Sequence, residues 1–365
     1  MALTNLKSTQ VLNHRAESMR SLNTVARFWP MELDELARVA ERFPFGMSRY
    51  WLNLIRFPDD PIWRQAVPDV RELEDLSGHV DPLAEESLSP VPNLVHRYSN
   101  RVLWLVSHRC AVHCRFCTRK RRWRRPLPMT EEYFQAGLDY IGRHSEVKDV
   151  LLSGGDPLLL QSSRLQSILK ALRSIPHVEI IRIGTRVPCA FPRRVTPRLV
   201  GMLTRYHPIY MSLHFNHPWE LTREAGRACS LLADGGIPLA SQTVLLRGIN
   251  DRPEILGELF QGLLAQRIRP YYLMQMDLTE GTAHFRTPIS TGLKILKALR
   301  NRISGLAMPH FVIDLPGGQG KIPLVPNCVQ ELDDGRIVFR DYQGNLCEYP
   351  LLEGEHQELH RWMRP

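Results

Sequence analysis

Short apolar runs alternate with amphipathic stretches from about residue 101 onward. The runs are four to eight residues long and rich in aliphatic side chains, as is typical of strands that are buried on both faces of a sheet. They predict six parallel strands, at residues 102–106, 150–153, 180–184, 209–214, 239–246 and 271–276.

The stretches between these runs predict helices. Thr130 is a good N-cap for one of them, and the apolar positions of residues 165–172 recur at helical spacing. Gly235-Gly236 ends a third helix that begins near Thr222. Consecutive βα units wind right-handed, so we expect an α/β fold, an incomplete (β/α)6 parallel barrel with ligands at the carboxyl ends of its strands.

Both ends of the chain differ from this alternating centre. Residues 1–98 are punctuated by proline and predict an N-terminal helical region, whereas residues 99–315 form the predicted partial barrel. Residues 316–365 form a C-terminal segment. Short strands are predicted at residues 311–314, 336–340 and 346–351.

Composition sets limits on the class of protein. Of the 365 residues, 43% are hydrophobic and 23% are charged, as in globular proteins. No apolar run approaches the roughly 20 residues that span a bilayer, so we expect a cytoplasmic protein without membrane contact. The formal charge of +9 fits either a polyanionic partner or small anionic ligands.

Three of the seven cysteines lie within eight positions, directly after the first predicted strand. Cys110, Cys114 and Cys117 are spaced so that three thiolates converge in one loop, and iron with inorganic sulfide is the usual partner of such a group. Three ligands leave one iron open for substrate. The alternative is a structural zinc ion with His113 or His108 as the fourth ligand.

Two glycine-rich segments are further candidate sites. Ser153-Gly154-Gly155-Asp156 closes the second predicted strand, where paired glycines let backbone approach a ligand. Lys321 follows a flexible stretch, residues 316–320, that is able to bring an amine into a pocket. A Walker phosphate-binding loop is excluded there, because it requires Ser or Thr after the lysine.

A basic run occupies residues 119–125 and contains Trp123. It fits an RNA-binding patch with an aromatic ring for stacking, a solvated charged face, or an inward Arg119 that pairs with a carboxylate. Asp277 follows one predicted strand and Asp314 ends another, so both are expected to point into one cavity. Buried carboxylates need a neutralising cation.

The cysteine triplet, with Phe116 before its last member, resembles the hallmark of the radical S-adenosylmethionine (SAM) superfamily. Within that superfamily the chain resembles the lysine 2,3-aminomutase family over nearly its whole length. The matching stretches are residues 49–55, 89–98, 153–157, 214–217, 242–251 and 316–323.

The resemblance implies three cofactors, a 4Fe-4S cluster, SAM and pyridoxal 5'-phosphate (PLP), and a role for each site residue. Lys321 resembles the catalytic lysine that forms the Schiff base with PLP. The implied cofactor contacts are Arg97, Tyr98, Arg101, His214 and Gln242 in addition to Ser153, Gly154, Gly155 and Asp156. The implied substrate contacts are Arg119 for the carboxylate and Asp277 with Asp314 for a side-chain cation.

The resemblance also implies an isomerase that moves the amino group of lysine from C2 to C3. Arginine as substrate and a radical enzyme that modifies RNA are the alternatives. An external electron donor of the flavodoxin or ferredoxin type is expected, and nucleic acid is not an expected partner. Family members carry a zinc-binding cysteine cluster near the C-terminus, whereas Cys347 stands alone here, so a homo-oligomer held by such a tail is in doubt.

Overall fold

The computed structural model describes residues 18–75, 77–341 and 343–363. The N-terminal region contains short elements joined by turns, in place of the mostly helical region predicted for residues 1–98, of which residues 1–17 lie outside the described part. Its elements are β1 (Ser18–Met19), α1 (Leu22–Ala26), α2 (Leu33–Arg42), β2 (Met47–Ser48), α3 (Arg49–Leu52) and α4 (Arg71–Glu74).

A nine-stranded sheet forms the centre of the described chain. Its strands lie side by side in chain order, and those from β4 to β10 are parallel to one another. They are β3 (Leu94–Tyr98), β4 (Arg101–Ser107), β5 (Asp149–Gly154), β6 (Ile180–Thr185), β7 (Ile209–His214), β8 (Leu239–Leu245), β9 (Ile268–Gln275), β10 (His310–Leu315) and β11 (Gly320–Leu324).

Helices cover the outer face of this sheet. Thr130 and Thr222 cap two of them, each hydroxyl accepting a backbone N–H from three residues ahead. The helices are α5 (Arg121–Arg124), α6 (Glu131–Arg143), α7 (Ser162–Arg173), α8 (Val187–Ala190), α9 (Pro197–Leu203), α10 (Arg223–Asp234), α11 (Pro253–Ala265) and α12 (Ile289–Leu299). Alternate side chains of β6, β7 and β8 are buried beneath the helices, and the intervening ones face the barrel interior.

The C-terminal end forms a separate three-stranded antiparallel sheet followed by a helix. The elements are β12 (Val329–Asp333), β13 (Arg336–Arg340), β14 (Leu346–Pro350) and α13 (Glu355–Met363). The last two strands agree with the predicted positions. Among the described residues no helix is long and apolar enough to cross a membrane.

The six predicted parallel strands are confirmed, and the sheet extends further at both edges. The segment predicted as a short strand at residues 311–314 is a seventh parallel strand, β10, next to β9. Outside it, β11 runs antiparallel and brings Lys321 opposite Asp314. At the other edge β3 pairs with β4, so residues 94–98 join the sheet although the predicted boundary follows residue 98. These pairings depend on contacts between distant segments, which local apolar pattern does not encode.

Candidate active site

The cysteine loop leaves the carboxyl end of β4 and is held there by β5. Backbone N–H groups of Gly155 and Asp156 donate to the carbonyls of Ser107 and Arg109, both at 2.6 Å. A Cβ on Gly154, whose φ is +124°, would lie 2.2 Å from the Ser107 carbonyl oxygen, and one on Gly155 2.3 Å from that of Arg109. The glycines therefore permit close contact between two backbone segments of the chain itself, where the sequence suggested contact with a ligand.

The three cysteine thiols at the start of this loop interact electrostatically. Burial, and then the two other thiols, raise the pKa of Cys110 well above its usual value. Burial and Cys114 raise the pKa of Cys117 to about 11. Three thiolates that repel one another need a cationic partner, and an iron–sulfur cluster that offers one iron to each cysteine sulfur would supply it. The donor set therefore fits a 4Fe-4S cluster.

The two histidines of the zinc alternative do not complement the cysteines. The His113 Nδ1 lies 2.9 Å from the Pro44 carbonyl oxygen, and its ring stacks on Trp123 at 4.6 Å. His108 is exposed to solvent. Within the described residues no three His, Cys, Asp or Glu side chains converge on a position for a single ion.

A second group of charged side chains surrounds Lys321. Asp314 and Lys321 face each other in the β10–β11 pair and form an ion pair. The Arg97 Nη1 donates to the second carboxylate oxygen of Asp314 at 2.7 Å. Burial and the neighbouring Asp314 raise the pKa of Asp277 to about 7, while Lys321 and Arg97 act in the opposite direction. The two predicted acids thus share one charged cluster with the predicted catalytic lysine.

Tyr98 and Arg101 border this cluster at the opposite edge of the sheet. The Tyr98 hydroxyl accepts the backbone N–H of Lys321 at 3.2 Å, which closes the two edges of the barrel against each other. The Arg101 guanidinium lies 4.0 Å from the centre of the Tyr98 ring. Its nearest hydrogen-bond acceptor is the Asn100 side chain, at 3.5 Å. Arg101 has no ion-pair partner among the described residues, and a phosphate dianion would supply the counter-charge, so the residues fit the phosphate of PLP.

His214 and Gln242 lie side by side on β7 and β8. The His214 ring lies 5.5 Å from Phe116 of the cysteine loop, and its Nε2 lies 3.1 Å from the side-chain oxygen of Asn216. Burial, followed by the positive charge of Arg186, lowers the pKa of His214 to about 3, so the imidazole is neutral. The pair lines the interior between the cysteine loop and the Lys321 cluster.

Arg119 occupies the mouth of the barrel, two residues after the last cysteine. Its Nε and Nη2 donate to the Glu85 carboxylate at 2.8 and 2.6 Å. Its Nη1 lies 3.3 Å from the Ser153 hydroxyl and 3.5 Å from the Gly154 carbonyl oxygen. Glu85 thus accepts hydrogen bonds from the Nε–Nη2 edge of the guanidinium, while Nη1 faces the carboxyl end of β5. A second carboxylate at the Nη1–Nη2 edge would meet the remaining Nη2 hydrogen and would compete with Ser153 and Gly154 for the Nη1 hydrogens.

Two family models match the chain, the radical SAM superfamily over residues 104–259 and lysine-2,3-aminomutase over residues 296–359. The L-lysine 2,3-aminomutase of Fusobacterium nucleatum is 44% identical over 93% of this chain and 81% of that protein. The chain belongs to the lysine 2,3-aminomutase family of radical SAM enzymes. Membership in this family implies a 4Fe-4S cluster and SAM.

Other members of the family are similar at nearly the same level. The L-lysine 2,3-aminomutase of Clostridium subterminale is 43% identical over 93% of this chain and 82% of that protein. The glutamate 2,3-aminomutase of Clostridioides difficile is 37% identical over 92% and 81%. Among solved structures, a radical SAM methyltransferase from Sphaerobacter thermophilus has a TM-score of 0.43 at 16% identity, over 62% of this chain and 72% of that one.

A solvated charged face, one of the three interpretations of the basic run, does not describe the residues that directly follow Arg119 after the family's cysteine triplet. Lys120 is 2% exposed, and its ammonium donates to Glu72 at 2.6 Å. Arg121 lies 2.9 Å from an Asp81 carboxylate oxygen. The prediction was wrong for these two residues because the acids that neutralise them lie about 40 positions upstream, beyond the reach of local pattern.

Two buried charged residues that sequence reasoning missed complete the site of this family member. Glu85 lies in the N-terminal region, and no local sequence pattern identifies it as a site residue. Arg186 follows the carboxyl end of β6. A charged residue at this position indicates a ligand site, because ligands bind at the carboxyl ends of parallel strands. The Arg186 Nη1 lies 2.8 Å from the Cys114 sulfur, and its Nη2 donates to Gln65 at 2.6 Å.

Asp156 positions Arg186. Its carboxylate accepts the Thr185 hydroxyl at 2.7 Å and the backbone N–H groups of Arg186 and Val187 at 2.8 and 3.1 Å. Burial raises the pKa of Asp156 to about 6. These bonds tie the end of β5 to the end of β6, and a direct contact of Asp156 with SAM stays a prediction.

Proposed function

We propose that this chain is a 2,3-aminomutase that moves the amino group of L-lysine, or of a similar cationic amino acid, from C2 to C3. Its 44% identity to an L-lysine 2,3-aminomutase supports this reaction. One observation carries the choice of a cationic substrate. Asp277 and Asp314, both recessed, lie in the charged cluster around Lys321.

Two chemical functions come from the bound cofactors. A reduced cluster with SAM would supply the radical chemistry at the substrate β-carbon, and PLP would supply the group that carries the migrating amine. Cys110, Cys114 and Cys117 would hold the cluster, and Lys321 would hold PLP. Arg101 and Tyr98 are suited to bind its phosphate end.

The protein's own contribution is to hold the amino acid at both ends. The Nη1–Nη2 edge of Arg119 binds the substrate carboxylate in place of its contacts with Ser153 and Gly154, because Glu85 already occupies the other edge. Asp277 and Asp314 bind the ammonium at the far end of the side chain, since buried carboxylates favour a cationic partner. Fixing both ends places one C–H bond before the radical and supports proximity catalysis.

In the ligand-free state Lys321 itself pairs with Asp314. Arg97 holds the other Asp314 oxygen. If Lys321 held PLP, the oxygen that now faces Lys321 would be the one to accept the substrate ammonium.

Anaerobic reconstitution tests the cofactor assignments. We expect iron and sulfide to bind with broad visible absorbance, together with a PLP absorbance band that is lost in Lys321→Ala. Lys297→Ala is the matched control, because Lys297 lies exposed on α12. Retention of the PLP band in Lys321→Ala would disprove the assigned role of Lys321.

Separate incubations with lysine, arginine and glutamate test the substrate. A β-amino acid formed from lysine, detected by mass spectrometry after derivatisation, is the expected product. Turnover of arginine alone would show that Arg119, Asp277 and Asp314 bind a longer cationic amino acid. Turnover of glutamate alone would contradict the roles of Asp277 and Asp314.

A further inference from the structure

The basic run after the cysteine triplet divides into two electrostatically different halves. Arg119, Lys120 and Arg121 point inward and are neutralised by acids of the N-terminal region. The remaining arginines of the run, Arg122, Arg124 and Arg125, have no ion-pair partner within the described residues. Together with Arg109 of the cysteine loop we call them the basic face, of which Arg122 is the half-buried member.

Arg122 forms no ion pair with the residues that the structure describes. Its Nη1 donates to the neutral Asn93 side chain at 3.3 Å. Burial, and then the positive charge of Arg121, lower the pKa of Arg122, whereas Glu85 and Glu86 act in the opposite direction. Arg109, Arg124 and Arg125 are exposed to solvent. The basic face therefore projects positive potential that an acidic partner would satisfy.

This face borders a cleft that leads to the cluster ligands. The cleft is lined by Cys110 and Cys117 at its base and by Arg122, Trp123 and Leu127 toward the surface. A cluster bound at these cysteines has to receive its electron from a donor outside the chain. The basic face lies where such a donor approaches two of the three cysteines.

The surroundings of Trp123 argue against RNA as the partner. A base stacks on an aromatic ring only where a face of the ring is open. The Trp123 ring stacks on His113, with 8° between the planes, and the Arg115 guanidinium lies 5.4 Å from its centre. The one large apolar side chain exposed at this rim is Leu127, among the residues that the structure describes. Arginines around a small apolar centre are typical of a transient protein interface.

We propose that the basic face is the docking surface for an acidic one-electron carrier protein of the flavodoxin or ferredoxin type. In the step it serves, the reduced carrier loses one electron and the 4Fe-4S cluster gains it. No covalent bond is made or broken. The proposal requires the cluster but not a lysine substrate, so it stands or falls separately from the reaction proposed above.

Charge reversal tests this surface with purified flavodoxin as the probe. We expect Arg124→Glu with Arg125→Glu to weaken flavodoxin binding by at least about tenfold, measured by calorimetry at low ionic strength. The salt dependence of binding should become shallower, because fewer charges are screened. The milder pair Arg124→Gln with Arg125→Gln should give a smaller loss. The matched control is Arg223→Glu with Arg227→Glu, two exposed residues of α10.

Stopped-flow reduction of the reconstituted cluster separates docking from damage. The rate with reduced flavodoxin should fall by about tenfold in the double reversal, whereas the rate with dithionite should not change, because dithionite needs no docking surface. Equal losses with both reductants, or equal flavodoxin binding in the variant and the control, would overturn the proposal. So would tight binding of a labelled single-stranded RNA that depends on Arg124 and Arg125 while flavodoxin binding does not.

Discussion

Glu85 binds the Nε edge of Arg119 and leaves the Nη1 group of that arginine directed at Ser153 and Gly154. The acid is 2% exposed. Burial opposes its ionisation, but Arg119 and Arg121 more than compensate and lower the pKa of Glu85 to about 2. Glu85 is therefore a permanent anion that fixes the orientation of Arg119, the residue proposed to bind the substrate carboxylate.

Replacing Glu85 by Gln should disturb recognition of the substrate carboxylate. Loss of a charge-assisted hydrogen bond costs about 1.5–3 kcal/mol, so KM for lysine should rise by about ten- to a hundredfold, with a smaller effect on kcat. Binding of cadaverine, which lacks the carboxylate, should not change. Glu86→Gln is the matched control, since Glu86 is exposed and pairs with Arg121. Equal losses for lysine and cadaverine would indicate a general structural role.

Asp277 should make binding of a cationic substrate depend on pH. Its carboxyl keeps a proton up to a pKa of about 7 in the ligand-free fold, so the affinity for an ammonium should rise with pH through that value. Calorimetric titration of cadaverine at several pH values measures this. The same shift means that Asp277 makes the fold less stable as pH rises between its unfolded pKa and about 7.

Asp277→Asn should remove this pH dependence of affinity, because the amide does not titrate. Asp234→Asn is the control, on exposed α10. An unchanged pH profile in Asp277→Asn would show that another group is responsible.

Gly154→Ala should displace the cysteine loop. The new methyl group would meet the Ser107 carbonyl oxygen at 2.2 Å, and that carbonyl belongs to the rigid end of β4. We expect a lower melting temperature and less iron bound per chain after reconstitution. Gly142→Ala is the control, because a Cβ there meets nothing within 4 Å. In an exposed helix this change should be neutral or stabilise by about 0.5–1 kcal/mol.

Glu72→Gln should destabilise the fold. Glu72 is fully buried between Arg115 and Lys120, at 2.8 and 2.6 Å, and its loss leaves two buried cations without an anion. Such a loss costs about 3–5 kcal/mol, measurable by denaturant unfolding of the metal-free chain. Glu74→Gln, on the exposed side of α4, should have little effect. Similar unfolding midpoints for both variants would show that the buried triad contributes little.

Local pattern was sufficient for the barrel strands and for the helix starts at Thr130 and Thr222. Each depends on residues close in sequence, such as a hydroxyl and the N–H three positions later. The edge strands β3 and β11 were not predicted as parts of the sheet, because their partners are chosen by tertiary packing.

The candidate site divides in the same way. Cys110, Asp277 and Lys321 are recognisable because each belongs to a motif or follows a strand. Glu85 and Gln65 were missed, since their significance lies in contacts with Arg119 and Arg186. A buried acid or amide has no sequence signature until the cation that it contacts is known.

The pairing of β10 with β11 places Asp314 directly opposite Lys321. Neighbouring strands are separated by about 4.8 Å, a spacing that backbone hydrogen bonds fix and side chains do not alter. The lysine that we propose to hold PLP and the acid that we propose to select the far end of the substrate are thus held one strand apart. The register of the β10–β11 pair thus sets the distance between the two groups. A change of this register would alter the length of the amino acid that the enzyme accepts.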